Sequence, residues 1–120
     1  MFKKLFLNRI VGDYGERKAS NYLIKKGYKI VERNVRTPFG EVDIIASYGA
    51  VLVFVEVKAR SGGKFGTGVD AVTAGKQSRL IKSASFYCKM KNISPLCRFD
   101  VVSIDAGRVT HIENAFTCDK

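Results

Sequence analysis

The fold is decided by residues 40–60, which read GEVDIIASYGAVLVFVEVKAR. Two β-prone runs, the second rich in valine, flank the pair Tyr48-Gly49. Two such runs joined by a short turn that contains glycine are typical of a β-hairpin. The predicted strands span Glu41 to Ser47 and Ala50 to Arg60.

The register of this hairpin follows from its turn. With Tyr48-Gly49 as a two-residue turn, the predicted pairs are Ser47 with Ala50, Asp43 with Phe54, and Glu41 with Glu56. Side chains alternate between the two faces of a strand, so the charged residues emerge together on one face: Glu41, Asp43, Glu56 and Lys58. That face is otherwise apolar, and we expect a helix to cover it because it also carries Ile45, Leu52 and Phe54.

Charges on a covered face need compensation, because burying an unpaired charge is costly. Two interpretations are open. In the first, Lys58 neutralises Glu56 in a salt-bridged cluster; one lysine cannot balance three acids, so this interpretation requires further cations. In the second, the acids bind a divalent metal such as Mg²⁺, which prefers oxygen ligands and keeps positions for water and phosphate. Lys58 could then orient or deprotonate a water molecule.

A first helix is predicted to begin near Asp13 and to end before Gly27. On this helix Glu16 lies on the same face as Ala19 and Leu23, which places it at the end of the stripe that packs inward. Asp13 and Glu16 also have the spacing of a capping box, which is the alternative explanation of Glu16.

The remaining elements complete an α/β fold with the order α-β-β-β-α-β-β, a mixed sheet flanked by helices. Residues 1–120 are one domain, in which residues 1–11 are a flexible or docking N-terminal segment. The other predicted elements are strands at Tyr28–Asn34, Arg98–Ile104 and Arg108–Glu113, and a helix from Val69 or Gly75 to Lys91. We expect the glycine-rich stretch from Ser61 to Gly68 to be a mobile loop near the charged face.

Composition narrows the class of function. The 120 residues carry 21 Lys and Arg against 11 Asp and Glu, a net charge of +10, and the excess lies in residues 1–40 and 61–94. Such a charge favours polyanions, either nucleic acid or an anionic membrane surface. No apolar run has the length of a membrane helix, and the three cysteines lack metal-ligand spacing. We expect a cytoplasmic protein with reduced thiols.

Two segments resemble the Asp…Glu-x-Lys core of the PD-(D/E)xK nuclease superfamily: Gly40-Glu41-Val42-Asp43 and Phe54-Val55-Glu56-Val57-Lys58. The chain from Gly12 to Phe116 is similar to one branch, the small bacterial YraN-like family of endonuclease-like proteins. Further residues that carry the resemblance are Arg33-Asn34, Lys76 and Arg98-Phe99-Asp100-Val101-Val102. The resemblance implies a restriction-endonuclease-like core.

This resemblance implies roles for individual residues. Asp43 and Glu56 match the metal-binding carboxylates, and the backbone carbonyl of Val57 matches a further ligand. Lys58 matches the catalytic lysine, and Glu16 matches a first-helix acid of related nucleases and Holliday-junction resolvases. Glu41 is either a further ligand or a residue that holds a water molecule or a basic neighbour.

Other residues are expected at the substrate. Lys76 and Gln77 match a position near the phosphate, with a solvated first helical turn as the alternative. The expected nucleic-acid contacts are Lys25, Lys26, Arg60, Lys64, Lys76, Gln77 and Arg79. Ile81 stands four residues after Gln77, where some exonuclease relatives have tyrosine, so exonuclease-like action is not supported. The lone histidine, His111, is expected at the surface or half-buried, without a functional role.

The resulting hypothesis is a nuclease that depends on Mg²⁺ or Mn²⁺ and hydrolyses phosphodiester bonds. The expected substrate is DNA, including branched or repair and recombination intermediates, and resolvase-like relatives suggest a homodimer. The alternatives are a non-catalytic nucleic-acid-binding module and a partner in a DNA-processing complex, because a fold does not by itself imply activity.

Overall fold

The structure is a computed structural model that describes the backbone of residues 2–60 and 72–117 and the side chains of residues 14–59 and 72–117. The order of elements is α-β-β-β-α-β-β, as the sequence predicts. The helices are α1 (Phe2–Lys25) and α2 (Ala74–Lys91), and the strands are β1 (Lys29–Thr37), β2 (Gly40–Tyr48), β3 (Val51–Arg60), β4 (Leu96–Asp105) and β5 (Arg108–Phe116).

The five strands form one mixed sheet in the order β1-β2-β3-β4-β5. Each neighbouring pair is antiparallel except β3 and β4, which run parallel. Parallel strands require a crossover connection, and the chain between β3 and β4 contains α2. The sheet therefore combines two regions of local hairpins with one long-range pairing.

The two helices cover opposite faces of the sheet. On the α1 face, the buried cluster includes Ala19, Leu23, Val53 and Val55, all fully buried. On the α2 face, Phe54 is fully buried among residues that include Leu52, Ile45, Leu80, Ala84 and Tyr87. The alternation along β3 and the core-facing side of α2 are therefore as predicted.

The hairpin register differs from the predicted one by two residues. Tyr48 pairs with Val51 and Ile45 pairs with Phe54, so the turn residues are Gly49 and Ala50. Gly49 has φ 61°, and a turn with glycine at its first central position needs positive φ only there. A shift by an even number of residues leaves every side chain on its predicted face.

The first helix begins at Phe2, not near Asp13. Asp13 therefore lies inside α1, and its spacing from Glu16 does not mark a helix start. The sequence signal that favours the longer helix is the recurrence of Phe2, Phe6 and Ile10 at every fourth position. In the described part of the chain, neither helix combines the length and apolar composition that a membrane crossing requires.

Close packing fixes where α1 crosses the sheet. A Cβ atom placed on Gly15 would lie 2.7 Å from the Cβ atom of Ala59 and 3.8 Å from a methyl group of Val57. The helix backbone thus approaches β3 as closely as only glycine allows. This contact sets the next residue, Glu16, beside the end of β3 that carries Glu56 and Lys58.

Four elements have boundaries close to the predicted ones. Thr73 caps α2, since its Oγ1 accepts a hydrogen bond from the backbone N–H of Lys76 at 3.2 Å. The helix therefore begins just before Gly75, the later of the two predicted starts. Strands β1, β4 and β5 extend two or three residues beyond their predicted carboxyl or amino ends.

Candidate active site

The candidate site lies where β2 and β3 cease to pair. The paired register runs from Tyr48–Val51 to Ile44–Val55. Just beyond it, Asp43 Oδ2 accepts a hydrogen bond of 2.8 Å from the backbone N–H of Val57. The Asp43 side chain thus binds a backbone donor of the neighbouring strand, which fixes this carboxylate beside Glu56.

Glu56 is the most buried acid of the site, with only 6% of its side chain exposed. Its Oε2 lies 2.6 Å from the Nζ of Lys76 and 3.6 Å from the Nζ of Lys58. A buried carboxylate needs such partners because desolvation penalises its charge. Lys76 is therefore one of the further cations that the salt-bridge interpretation of the sequence requires.

The pKa of Asp43 is raised from 3.8 to about 7. Burial of the carboxyl group is the largest cause, and the negative charges of Glu56 and Glu16 add to it. The hydrogen bond from Val57 and the charge of Lys76 oppose the rise. Burial beside two other acids thus disfavours the charged form of Asp43, even with Lys76 nearby.

The two lysines of the site have pKa values that move in opposite directions. The hydrogen bond to Lys76, followed by burial, lowers the pKa of Lys58, while Glu56 and Asp43 oppose the fall. The pKa of Lys76 is raised: burial lowers it, but the hydrogen bond to Glu56 and the other polar interactions of the ammonium group together outweigh burial. Lys58 is therefore the ammonium group of the pair that loses its proton more easily.

Asp43, Glu56 and Lys76 line an open cavity of about 240 Å³ between the β2 and β3 strands and the α2 helix. Arg79 lies on the same wall as Lys76, one helical turn further along. The lining residues include Gly40, Glu41, Asp43, Glu56, Lys76 and Arg79. Acids from two strands and cations from a helix thus meet in one pocket.

The two further candidate acids differ in position. Glu16 is half-buried on α1, and its charge raises the pKa of Asp43, so it lies within electrostatic range of that carboxylate. Glu41 is exposed on the pocket wall, opposite Arg36 of β1 in the strand register. Glu41 thus lines the pocket, whereas Glu16 affects Asp43 through its charge and lies outside the described lining.

Several predicted nucleic-acid contacts lie elsewhere. Lys25 and Lys26 stand at the far end of α1, about 15 Å of helix rise from Glu16. There Lys26 contacts Glu113 and His111 of β5. Gln77 donates to the carbonyl of Val72 at 3.2 Å. The Arg60 side chain and all of Lys64, with the predicted loop at 61–68, fall outside the described residues.

The acids of the pocket are few for a site that holds a metal by protein ligands alone. Among residues 14–59 and 72–117, no three or more His, Cys, Asp or Glu side chains form a metal-binding group. Mg²⁺, however, is commonly held by one or two carboxylates together with waters and substrate phosphates. Asp43 and Glu56, two neighbouring carboxylates on the wall of an open cavity, fit that mode, which Mn²⁺ shares.

A second charged cluster, which the sequence did not predict, surrounds Asp100 on the α1 face. Arg98 donates two hydrogen bonds to this fully buried carboxylate, at 2.9 and 2.7 Å, and the backbone N–H of Asn114 donates a third at 3.0 Å. His111 Nε2 lies 2.7 Å from Asp100 Oδ2, and its side chain is 1% exposed. His111 is thus more enclosed than expected, and the i, i+2 spacing of Arg98 and Asp100 is the signal that could have revealed the cluster.

Comparison with known proteins gives the family. The model of the family described as "Uncharacterised protein family UPF0102" matches residues 15–104. The chain belongs to this family. UPF0102 is the YraN family, so the resemblance found in the sequence is confirmed. The match begins at Gly15, within α1, and continues through most of β4, so it includes all the described pocket residues.

Relatives match the UPF0102 chain over most of their length. A UPF0102 protein of Symbiobacterium thermophilum is 48% identical over 116 residues, which cover 92% of this chain and 98% of the relative. One of Thermodesulfovibrio yellowstonii is 48% identical and covers 88% and 95%. One of Clostridioides difficile is 44% identical and covers 91% and 98%.

Proposed function

We propose that this protein is a metal-dependent nuclease that hydrolyses phosphodiester bonds of nucleic acid. The observation that carries the proposal is the meeting of Asp43 and Glu56 in one open pocket, with Lys58 in contact with Glu56. Carboxylates that share a site with a lysine of lowered pKa can support hydrolysis of a phosphate ester.

Within this proposal, Asp43, Glu56 and the backbone carbonyl of Val57 would hold Mg²⁺ or Mn²⁺, with Glu16 as a further acid nearby. The metal, when bound, would stabilise the negative charge that develops on the phosphate oxygens. Lys58 orients the attacking water and, because its pKa is lowered, can accept a proton from it. The hydrogen bond from Val57 keeps Asp43 aimed into the pocket.

The substrate side of the proposal rests on charge. The net charge of +10 favours a polyanion, and Lys76 and Arg79 provide cations on the pocket wall. We propose DNA as the substrate, with branched or repair and recombination intermediates as the preferred forms. The proposed compartment is the cytoplasm, and the proposed assembly is a homodimer.

One observation favours a second candidate, a nucleic-acid-binding module without catalysis. Lys76 and Lys58 both contact Glu56, so most of its charge is compensated by the chain itself. In that case the pocket is a salt-bridged cluster, and the positive surface binds nucleic acid, alone or within a DNA-processing complex. Binding without metal-dependent turnover would distinguish this candidate from the nuclease.

The test is a cleavage assay on supercoiled plasmid, single-stranded DNA and a four-way junction, with Mg²⁺, Mn²⁺ or EDTA. Wild type is compared with Lys58→Ala and with Lys82→Ala, in which an exposed lysine of α2 outside the pocket is removed. All three proteins are purified in parallel, which controls for a contaminating nuclease.

The proposal requires cleavage that depends on metal, is lost in Lys58→Ala and is kept in Lys82→Ala. Loss of a positioned proton acceptor is expected to lower the rate by about 10²-fold or more. Equal cleavage by wild type and Lys58→Ala would contradict the role of Lys58. Binding that is sensitive to salt, without any cleavage, would support the binding module instead.

A further inference from the structure

Glu56 is bound more closely by Lys76 than by Lys58, the lysine that follows it on its own strand. The ion pair with Lys76 is 2.6 Å long, a full ångström shorter than the 3.6 Å pair with Lys58. Both ammonium groups point at the same oxygen, Oε2, of a side chain that is 6% exposed. A charge-assisted hydrogen bond to an almost buried carboxylate is among the stronger polar contacts in proteins.

The backbone of Lys76 is fixed in the first turn of α2, whereas its side chain is partly exposed and borders open space. The N–H of Lys76 donates to Thr73 Oγ1 in the first turn of α2. Its side chain is 35% exposed and ends in an ammonium group on a flexible four-carbon stem. The open cavity beside it, shared with Arg79, has room for this group to leave Glu56 without movement of the helix.

We propose that Lys76 is the cation of Glu56 in the metal-free protein, that a divalent metal displaces it, and that the displaced ammonium then binds substrate phosphate. This inference rests on the proposed function, because it assigns Glu56 to the metal. A divalent cation at Glu56 repels the ammonium of Lys76, so both cannot occupy the same carboxylate oxygen. Metal binding thus makes one more cation available to the nucleic acid.

The exchange predicts opposite effects of one substitution on two ligands. Without the Lys76 ammonium, the metal loses its nearest competitor at Glu56, so its affinity increases. Nucleic-acid binding in the presence of metal weakens, because one phosphate contact is lost. If Lys76 merely held Glu56 in position for the metal, its removal would disorder that ligand, and the affinity for the metal would fall instead.

The experiment measures Mn²⁺ binding by isothermal titration calorimetry, without nucleic acid, for wild type and Lys76→Met. Methionine keeps the length and apolar stem of the side chain and removes its charge. Lys82→Met is the matched control, an exposed lysine on the same helix outside the pocket. The Mn²⁺ affinity of Lys76→Met is expected to exceed that of both other proteins by about ten-fold. This factor corresponds to the stabilisation that one hydrogen bond to a charged group contributes.

Each outcome decides between the proposals. Equal or weaker Mn²⁺ binding by Lys76→Met, with binding by wild type intact, overturns the exchange and leaves the metal-dependent function standing. Absence of Mn²⁺ binding in wild type and in folded Lys76→Met overturns both. Tighter binding that Glu56→Gln abolishes in the Lys76→Met background locates the metal at Glu56 and supports the exchange, whether or not any DNA is cut.

Discussion

Replacement of Asp43 by Asn is expected to stabilise the metal-free protein at alkaline pH. The pKa of the Asp43 carboxyl is raised to about 7 by burial and by the charge of Glu56. Above that pH the carboxylate is ionised in an environment that disfavours its charge. Asparagine removes the charge and can still accept the hydrogen bond from the N–H of Val57, so the local geometry is kept.

The magnitude follows from the displacement of the pKa. A rise from 3.8 to about 7 corresponds to about 4 kcal/mol of unfavourable interaction once the group is ionised. Because Asp43 is only partly buried, screening by water reduces this figure. We therefore expect Asp43→Asn to raise the free energy of unfolding by about 2–4 kcal/mol at pH 8.

The dependence on pH has a definite sign. Between 3.8 and about 7 the folded state binds the Asp43 proton more tightly than the unfolded state. Stability contributed by this group is therefore full below the lower value and is lost as pH rises through the higher one. The gain from Asp43→Asn should be near zero at pH 4 and should grow to its full size above pH 7.

Urea unfolding at pH 4, 6 and 8 in EDTA measures this gain. Glu41→Gln, which removes an exposed acid of the same strand, is the control and should change stability by less than about 0.5 kcal/mol. An Asp43→Asn protein no more stable than wild type at pH 8, or a gain that does not vary with pH, would refute the reasoning.

Three further results are expected. Gly15→Ala should lower the free energy of unfolding by about 1–2 kcal/mol, because overpacking against Ala59 outweighs the better helix propensity of alanine. The control in urea unfolding is Gly75→Ala, whose new Cβ atom would have no contact under 3.9 Å. Equal stability of the two variants would contradict the close approach of α1 to β3. Burial raises the pKa of Asp100, but hydrogen bonds from His111, Arg98 and Asn114 outweigh burial and hold this pKa below its ordinary value of 3.8. Asp100→Asn should therefore lower the free energy of unfolding by about 3 kcal/mol at pH 7, and by less as the pH falls below 3.8. A loss of stability that stays constant in urea unfolding from pH 7 to 3 would argue against this sign. Arg79→Ala should reduce the slope of log affinity for DNA against log salt by about one, whereas Lys82→Ala should not, as fluorescence anisotropy at several salt concentrations would test; an unchanged slope for Arg79→Ala would exclude a phosphate contact there.

Much of the fold could be predicted from local signals. The valine-rich run of β3, its partner β2 and the helical spacing of α2 indicate both the elements and their inward faces. The hairpin register was predicted wrongly because Tyr48-Gly49 and Gly49-Ala50 are both acceptable turn pairs, and they differ in which central residue has positive φ. The prediction of a shared charged face survived because both registers keep the same alternation.

The site was predictable only in part. Alternation along β2 and β3 places Asp43, Glu56 and Lys58 together, since these residues are close in sequence. The 2.6 Å contact between Lys76 and Glu56 depends on how α2 lies over the end of β3. The segment between Arg60 and Ala74 separates these two elements along the chain, and no local pattern in the sequence reports the distance between their side chains.

The sheet order has a consequence for how the chain reaches its folded state. The three strands β1 to β3 are joined by short turns, whereas β3 meets β4 only after the whole of α2 has crossed. Until then β3 is an open edge whose sequence, VLVFVEV, is of the kind that aggregates. Glu56 lies within that run and Lys58 follows it directly, so these two charges also protect the nascent strand from self-association.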